Sequence, residues 1–182
     1  SDNDNVSDNV SDNVSVSDSD NDNDSDNDSD NDNDKKTNLI NIVKLLILYK
    51  ADVTICNSID TTPLMYACYF TDINMLNILF NDSIDINKKD KEGHNALFYS
   101  IVGKQFSIVK YLVNKGCDIN IQNNEGETPL MSAANRCCFN IFKYLLKMGA
   151  NVNTHDNEGH NAFSWVILNV GINVKSYLLL LL

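Results

Sequence analysis

Arginine is almost missing from this chain: Arg136 is the only one, and positions 1–34 contain neither Lys nor Arg. Duplex nucleic acid is bound through a basic stripe, and with none visible no nucleic-acid partner is expected. No apolar run approaches the roughly 20 residues of a membrane helix, so no membrane partner is expected either. Neither a G-x-S-x-G elbow nor a phosphate-cradling G-x-x-x-x-G-K-[ST] loop occurs, which removes two common routes to catalysis. There are three histidines, His94, His155 and His160. His94 and His160 both sit in Gly-His-Asn turns, and their separation (160 − 94) is twice that between Thr62 and Asn95 (95 − 62), so they repeat as scaffold positions and do not converge on a site. The five cysteines, Cys56, Cys68, Cys117, Cys137 and Cys138, form no C-x-x-C pair and have no His at ligand spacing. They read as small, mostly buried thiols of a reducing, cytoplasmic setting, with no metal and no cofactor expected. No signal peptide is visible, although the chain opens on Ser1 without Met.

What is present divides sharply in two. Residues 1–34 hold 13 of the 25 acidic residues and only four apolar side chains, Val6, Val10, Val14 and Val16. Such a segment self-repels and has no apolar surface to offset ordering entropy, so residues 1–36 are expected to be a disordered acidic tail. Alternating Ser and Asp would bind divalent cations weakly or accept phosphate, but calcium loops need a Gly-made turn and ligands at fixed offsets. The 12 remaining acids (25 − 13) against 14 bases leave the body near +2, so the low pI belongs to the tail.

In the body, Thr62, Asn95, Thr128 and Asn161 open corresponding segments, and the three intervals (95 − 62, 128 − 95, 161 − 128) are identical. A fixed period of this length predicts stacked supersecondary units that bury their apolar faces against neighbours. Leu64, Leu97, Leu130 and Phe163 form one expected core column; Ile73, Phe106, Phe139 and Ile172 a second; Leu79, Leu112, Leu145 and Leu178 a third. Thr or Asn caps each first helix, and Pro63 and Pro129 occupy the place where a missing N–H does no harm. Gly93, Gly126 and Gly159 mark the turns, with Asp60 in that place in the first copy. The divisions expected are a half repeat at 37–55, full repeats at 56–88, 89–121 and 122–154, and an incomplete one at 155–182. In the last, Lys175 falls in the column of Leu76, Val109 and Phe142, and Leu180, Leu181 and Leu182 replace solvated positions. That end is expected to fray or to associate, on a chain otherwise expected to be monomeric.

Thr62-Pro63-Leu64-Met65-Tyr66-Ala67 and Thr128-Pro129-Leu130-Met131-Ser132-Ala133 resemble the T-P-L-H-x-A signature of ankyrin repeats, with Met in the usual His place. The resemblance implies an all-α solenoid of helix-turn-helix units with short β-hairpin turns, and a non-catalytic scaffold that binds a partner protein on its concave face. It assigns partner binding to the turn residues Ser58, Ile59 and Thr61; Lys91, Glu92 and His94; Asn124, Glu125 and Glu127; and Asn157, Glu158 and His160. It also assigns the inner-helix ends Tyr69, Phe70, Asn135 and Arg136, with Gly103 expected to leave a gap beside Phe70 for a partner side chain. Two other readings stay open: the targeting part of a longer enzyme or secreted effector, and a cation-binding or tethering protein acting through its tail.

Overall fold

The computed structural model describes residues 32–70, 73–81 and 83–169; the tail expectation for residues 1–31 and those for Ile172, Lys175, Leu178 and Leu180 to Leu182 lie outside them. The helices are α1 (Asp32–Leu48), α2 (Pro63–Phe70), α3 (Ile73–Leu79), α4 (Ala96–Val102), α5 (Phe106–Asn114), α6 (Pro129–Asn135) and α7 (Phe139–Lys147), followed by α8 over 162–169. α1 begins at Asp32, inside the stretch whose composition reads as tail up to residue 36.

Caps start the first helix of each pair. Thr62 Oγ1 accepts from Met65 N at 3.2 Å, Asn95 Oδ1 from Leu97 N at 3.1 Å, Thr128 Oγ1 from Met131 N at 3.3 Å, and Asn161 Oδ1 from Ser164 N at 3.0 Å. Met65 and Met131 add a reciprocal contact, their sulfurs accepting from Thr62 N at 3.3 Å and Thr128 N at 3.4 Å. A thioether acceptor there satisfies a helix-start amide that would otherwise be buried bare. The helices that follow end on Gly116 (φ 88) and Gly149 (φ 90), left-handed positions that stop α5 and α7.

Inner helices α2, α4 and α6 stack in one row; α1, α3, α5 and α7 stack in an outer row, with each inner helix packed on the outer helix that follows it. Leu64, Leu97 and Leu130 are buried between rows, as are Leu79, Leu112 and Leu145. One further column holds only in part. Phe106 is half-buried because Tyr144 of the following repeat meets its ring at 5.8 Å, edge to face. Phe139, expected in the same column, is 71% exposed, and Phe163, expected beside Leu130, is 72% exposed. By the register of the repeat the ring that would cover Phe139 is Tyr177, outside the described residues.

The expected β-hairpins are absent: the described residues contain no strand. Each tip makes only one bond of the pair a hairpin would exchange, Asn57 N to Thr61 O, Asp90 N to His94 O, Asn123 N to Glu127 O and Asp156 N to His160 O. The return donor is diverted to a side chain, since Thr61 N, His94 N, Glu127 N and His160 N give to Oδ1 of Asn57, Asp90, Asn123 and Asp156 at 2.8 to 3.0 Å. That carboxamide or carboxylate also takes the amide two residues on, producing a tight side-chain-closed turn in place of a ladder.

Candidate protein-binding surface

Successive tips are tied to each other by one backbone bond per step: Lys91 N to Ile59 O at 3.1 Å, Asn124 N to Glu92 O at 2.9 Å, and Asn157 N to Glu125 O at 2.9 Å. Asn124 Nδ2 adds a bond to Lys91 O at 2.7 Å and Asn157 Nδ2 one to Asn124 O at 2.9 Å, so these two side chains hold the row together. Glycine is needed where tips touch: a Cβ on Gly93 would stand 2.7 Å from Asn124 N, and one on Gly126 2.9 Å from Asn157 N.

In three of the four tips the closing residue also reaches its own inner helix nine residues on. Asn57 Nδ2 donates to the Tyr66 hydroxyl at 3.0 Å; the Tyr99 hydroxyl donates to Asp90 Oδ2 at 2.8 Å; Trp165 Nε1 donates to Asp156 Oδ2 at 3.1 Å. Burial, and after it the neighbouring Asp90 carboxylate, push the Tyr99 phenol up to about 12. Asn123 instead reaches backwards, its Nδ2 lying 3.0 Å from His94 Nε2. Because Asn123 Oδ1 already accepts from Glu125 N and Glu127 N, its amide is the donor; His94 Nε2 is then the acceptor and the ring proton sits on Nδ1, facing Glu92 at 3.4 Å.

On this frame, Ser58, Ile59, Lys91, Glu92, Glu125 and Glu158 are exposed along the row, while Asn124 and Asn157 are exposed but engaged between tips. His94, Glu127 and His160 are half-buried. Thr61 is buried, with its hydroxyl 3.2 Å from that of Tyr99, and therefore serves the frame. At the inner-helix ends Phe70 is 70% exposed, Tyr69 is half-buried, and Asn135 and Arg136 are exposed. The gap expected at Gly103 is closed: the Tyr69 backbone fills the space a side chain would need.

The surface changes character along its length. At the α2 end Phe70 stands edge to face with Tyr69 (4.4 Å between centroids) and stacks on Tyr66 at 6.5 Å, giving an open aromatic cluster of three. Tyr66 is absent from the residues that the resemblance assigns to partner binding; its signal in the sequence is the column it shares with Tyr99 and Trp165. At the α8 end, Glu125, Glu127, Asp156 and Glu158 line a cleft of about 280 Å³ walled by Trp165 and Asn135. Burial, followed by the like charges of Glu125 and Asp156, raises the Glu127 carboxyl above its usual range against the pull of Arg136. Among the described residues no group of three or more His, Cys, Asp or Glu is placed to hold a metal ion, and no helix is long and apolar enough to cross a membrane.

The family model described as ankyrin repeats (3 copies) matches residues 34–123 and 104–181, most of the chain. The chain belongs to the ankyrin-repeat family. The match begins inside α1. No curated protein gives a match to this ankyrin array.

Proposed function

We propose that this ankyrin array is a non-catalytic scaffold that holds a partner protein along its row of turn tips and inner-helix ends. The observation that carries the reading is the way the tips are fastened. Each is closed by its own Asn or Asp side chain and bonded to its neighbour, while Ser58, Ile59, Lys91, Glu92, Glu125 and Glu158 beside them stay in solvent. Side chains held on an already ordered backbone lose little entropy on binding, which is what a recognition surface needs. Phe70 with Tyr66 is the anchor of this surface, since an exposed aromatic pair is the kind of group most often found at the energetic centre of an interface. The buried, unpaired thiols of Cys68 and Cys117 support a reducing intracellular setting.

The test is affinity capture from a cell lysate with the full chain, comparing wild type, Phe70→Ser, and Glu125→Lys with Glu158→Lys. Loss of one captured protein in either variant, at unchanged melting temperature, is the expected result, worth about 2 kcal/mol of binding for Phe70→Ser. Identical captured sets from all three would sink the assignment of this face.

A further inference from the structure

We propose that α1 is a homodimerisation helix, two copies packing antiparallel along the stripe Leu39, Ile42, Leu46 and Tyr49. α1 is apolar on two sides. Ile40, Val43 and Ile47 form the half-buried face, and α1 packs on α3. On the far side Leu39, Ile42, Leu45, Leu46, Leu48 and Tyr49 are each between 52% and 84% exposed. A helix apolar all round is stable only when covered all round.

The open side has an identifiable missing neighbour. Ile42 lies one period before Met75, and Leu46 one period before Leu79; the columns continue through Ile108 and Ile141, and through Leu112 and Leu145. All of these except half-buried Met75 are buried, each beneath the inner helix of its own repeat. The described residues of this half repeat include no inner helix, and the apolar side chains of residues 1–31 are four valines. The vacant seat continues the stacking interface already present in the array.

A second copy of α1 fits that seat by spacing, exposure and charge. Leu39, Ile42, Leu46 and Tyr49 follow the 3-4-3 spacing of a two-helix seam. Leu39, Ile42, Leu46 and Tyr49 are each more than half exposed, with Leu45 and Leu48 open beside them, a contiguous apolar patch of the kind that marks an interaction surface. Charge selects the orientation. Residues 1–31 carry 11 Asp and no Lys or Arg, so parallel helices would set two acidic segments side by side. Antiparallel helices keep the two acidic segments at opposite ends of the pair and oppose the two helix dipoles.

Light scattering and sedimentation equilibrium on the full 20.4 kDa chain should show a concentration-dependent species of twice that mass. Ile42→Glu with Leu46→Glu should weaken association at least about 30-fold, while Phe163→Glu at the opposite end should leave it intact. In case the double variant unfolds α1, amide exchange of wild-type α1 should slow as protein concentration rises. Cross-links between isotopically mixed copies should join Lys50 to Lys35 or Lys36. A monomer at all concentrations, or association lost with Phe163→Glu and kept in the α1 variant, overturns the proposal. So does concentration-independent α1 exchange, and Lys50–Lys50 links overturn the antiparallel arrangement.

Discussion

Replacing Gly103 by Ala sets two effects of opposite sign against each other. Its backbone, at φ −74 and ψ −2, is one any residue adopts, so local propensity favours Ala over Gly by up to about 1 kcal/mol. The new Cβ, however, would overlap the Tyr69 carbonyl oxygen and stand 3.1 Å from its carbonyl carbon and 3.2 Å from its Cα. Backbone on both sides leaves no flexible side chain to yield, so α2 and α4 must separate where they pack most closely. Overpacking of that kind costs typically about 1–3 kcal/mol, occasionally more, and it wins. Against rigid backbone the cost sits at the upper end, about 3 kcal/mol, and the net loss of about 2 kcal/mol lowers Tm by about 4–8 °C in a domain of this size, read by circular dichroism and checked by urea titration. Gly116→Ala is the control: φ is 88 and nothing lies within 4 Å, so only the backbone strain, about 1 kcal/mol, is lost. A Gly103→Ala protein that melts at or above wild type, or less affected than Gly116→Ala, would refute the close approach of the two inner helices.

Three further outcomes are expected. Asn95→Ala removes a fully buried cap that accepts from Leu97 N and Phe98 N and donates to the Cys117 sulfur at 3.3 Å, and should cost about 2 kcal/mol in urea unfolding. Thiol labelling followed by mass spectrometry should modify exposed Cys137 quickly at pH 8 and spare Cys68 and Cys117 until unfolding. Burial pushes both of those thiols up, Cys117 to about 12. Glu127→Gln should stabilise at neutral pH and make no difference below about pH 4. Folded Glu127 holds its proton more firmly than the unfolded chain does, so its stabilising protonated form is lost as pH rises through the raised folded value. Equal unfolding midpoints for variant and wild type at pH 7 would contradict this.

The repeat was legible because its signals are local: a capping Thr or Asn and an apolar column recur once in every unit, with Pro at the first helical position in two of them, and the observed caps fall on them. What escaped depends on contacts between repeats. Gly103 looks like empty space from its own sequence and is filled by a carbonyl from the preceding unit. Thr61 looks like a turn residue and is buried by Tyr99, 38 positions on. The hairpins failed for a subtler reason. Asn57, Asp90, Asn123 and Asp156 are ordinary turn formers in sequence, and only in three dimensions does each capture the amide that a strand pair requires. Phe139 and Phe163 read as core because the register says so, but burial needs a neighbour as well as a register.

The bonds between tips use the same two backbone atoms at every step, an amide on one tip and the carbonyl at the matching place on the tip before it. This backbone bond is independent of side-chain identity, while Gly93 and Gly126 leave room for it and Asn124 and Asn157 reinforce it. One whole repeat duplicated or deleted in frame would therefore meet its new neighbour through the donor and acceptor it already had. Length can change in this array without any new junction having to be invented, and the amino acids displayed beside each turn are free to diverge copy by copy.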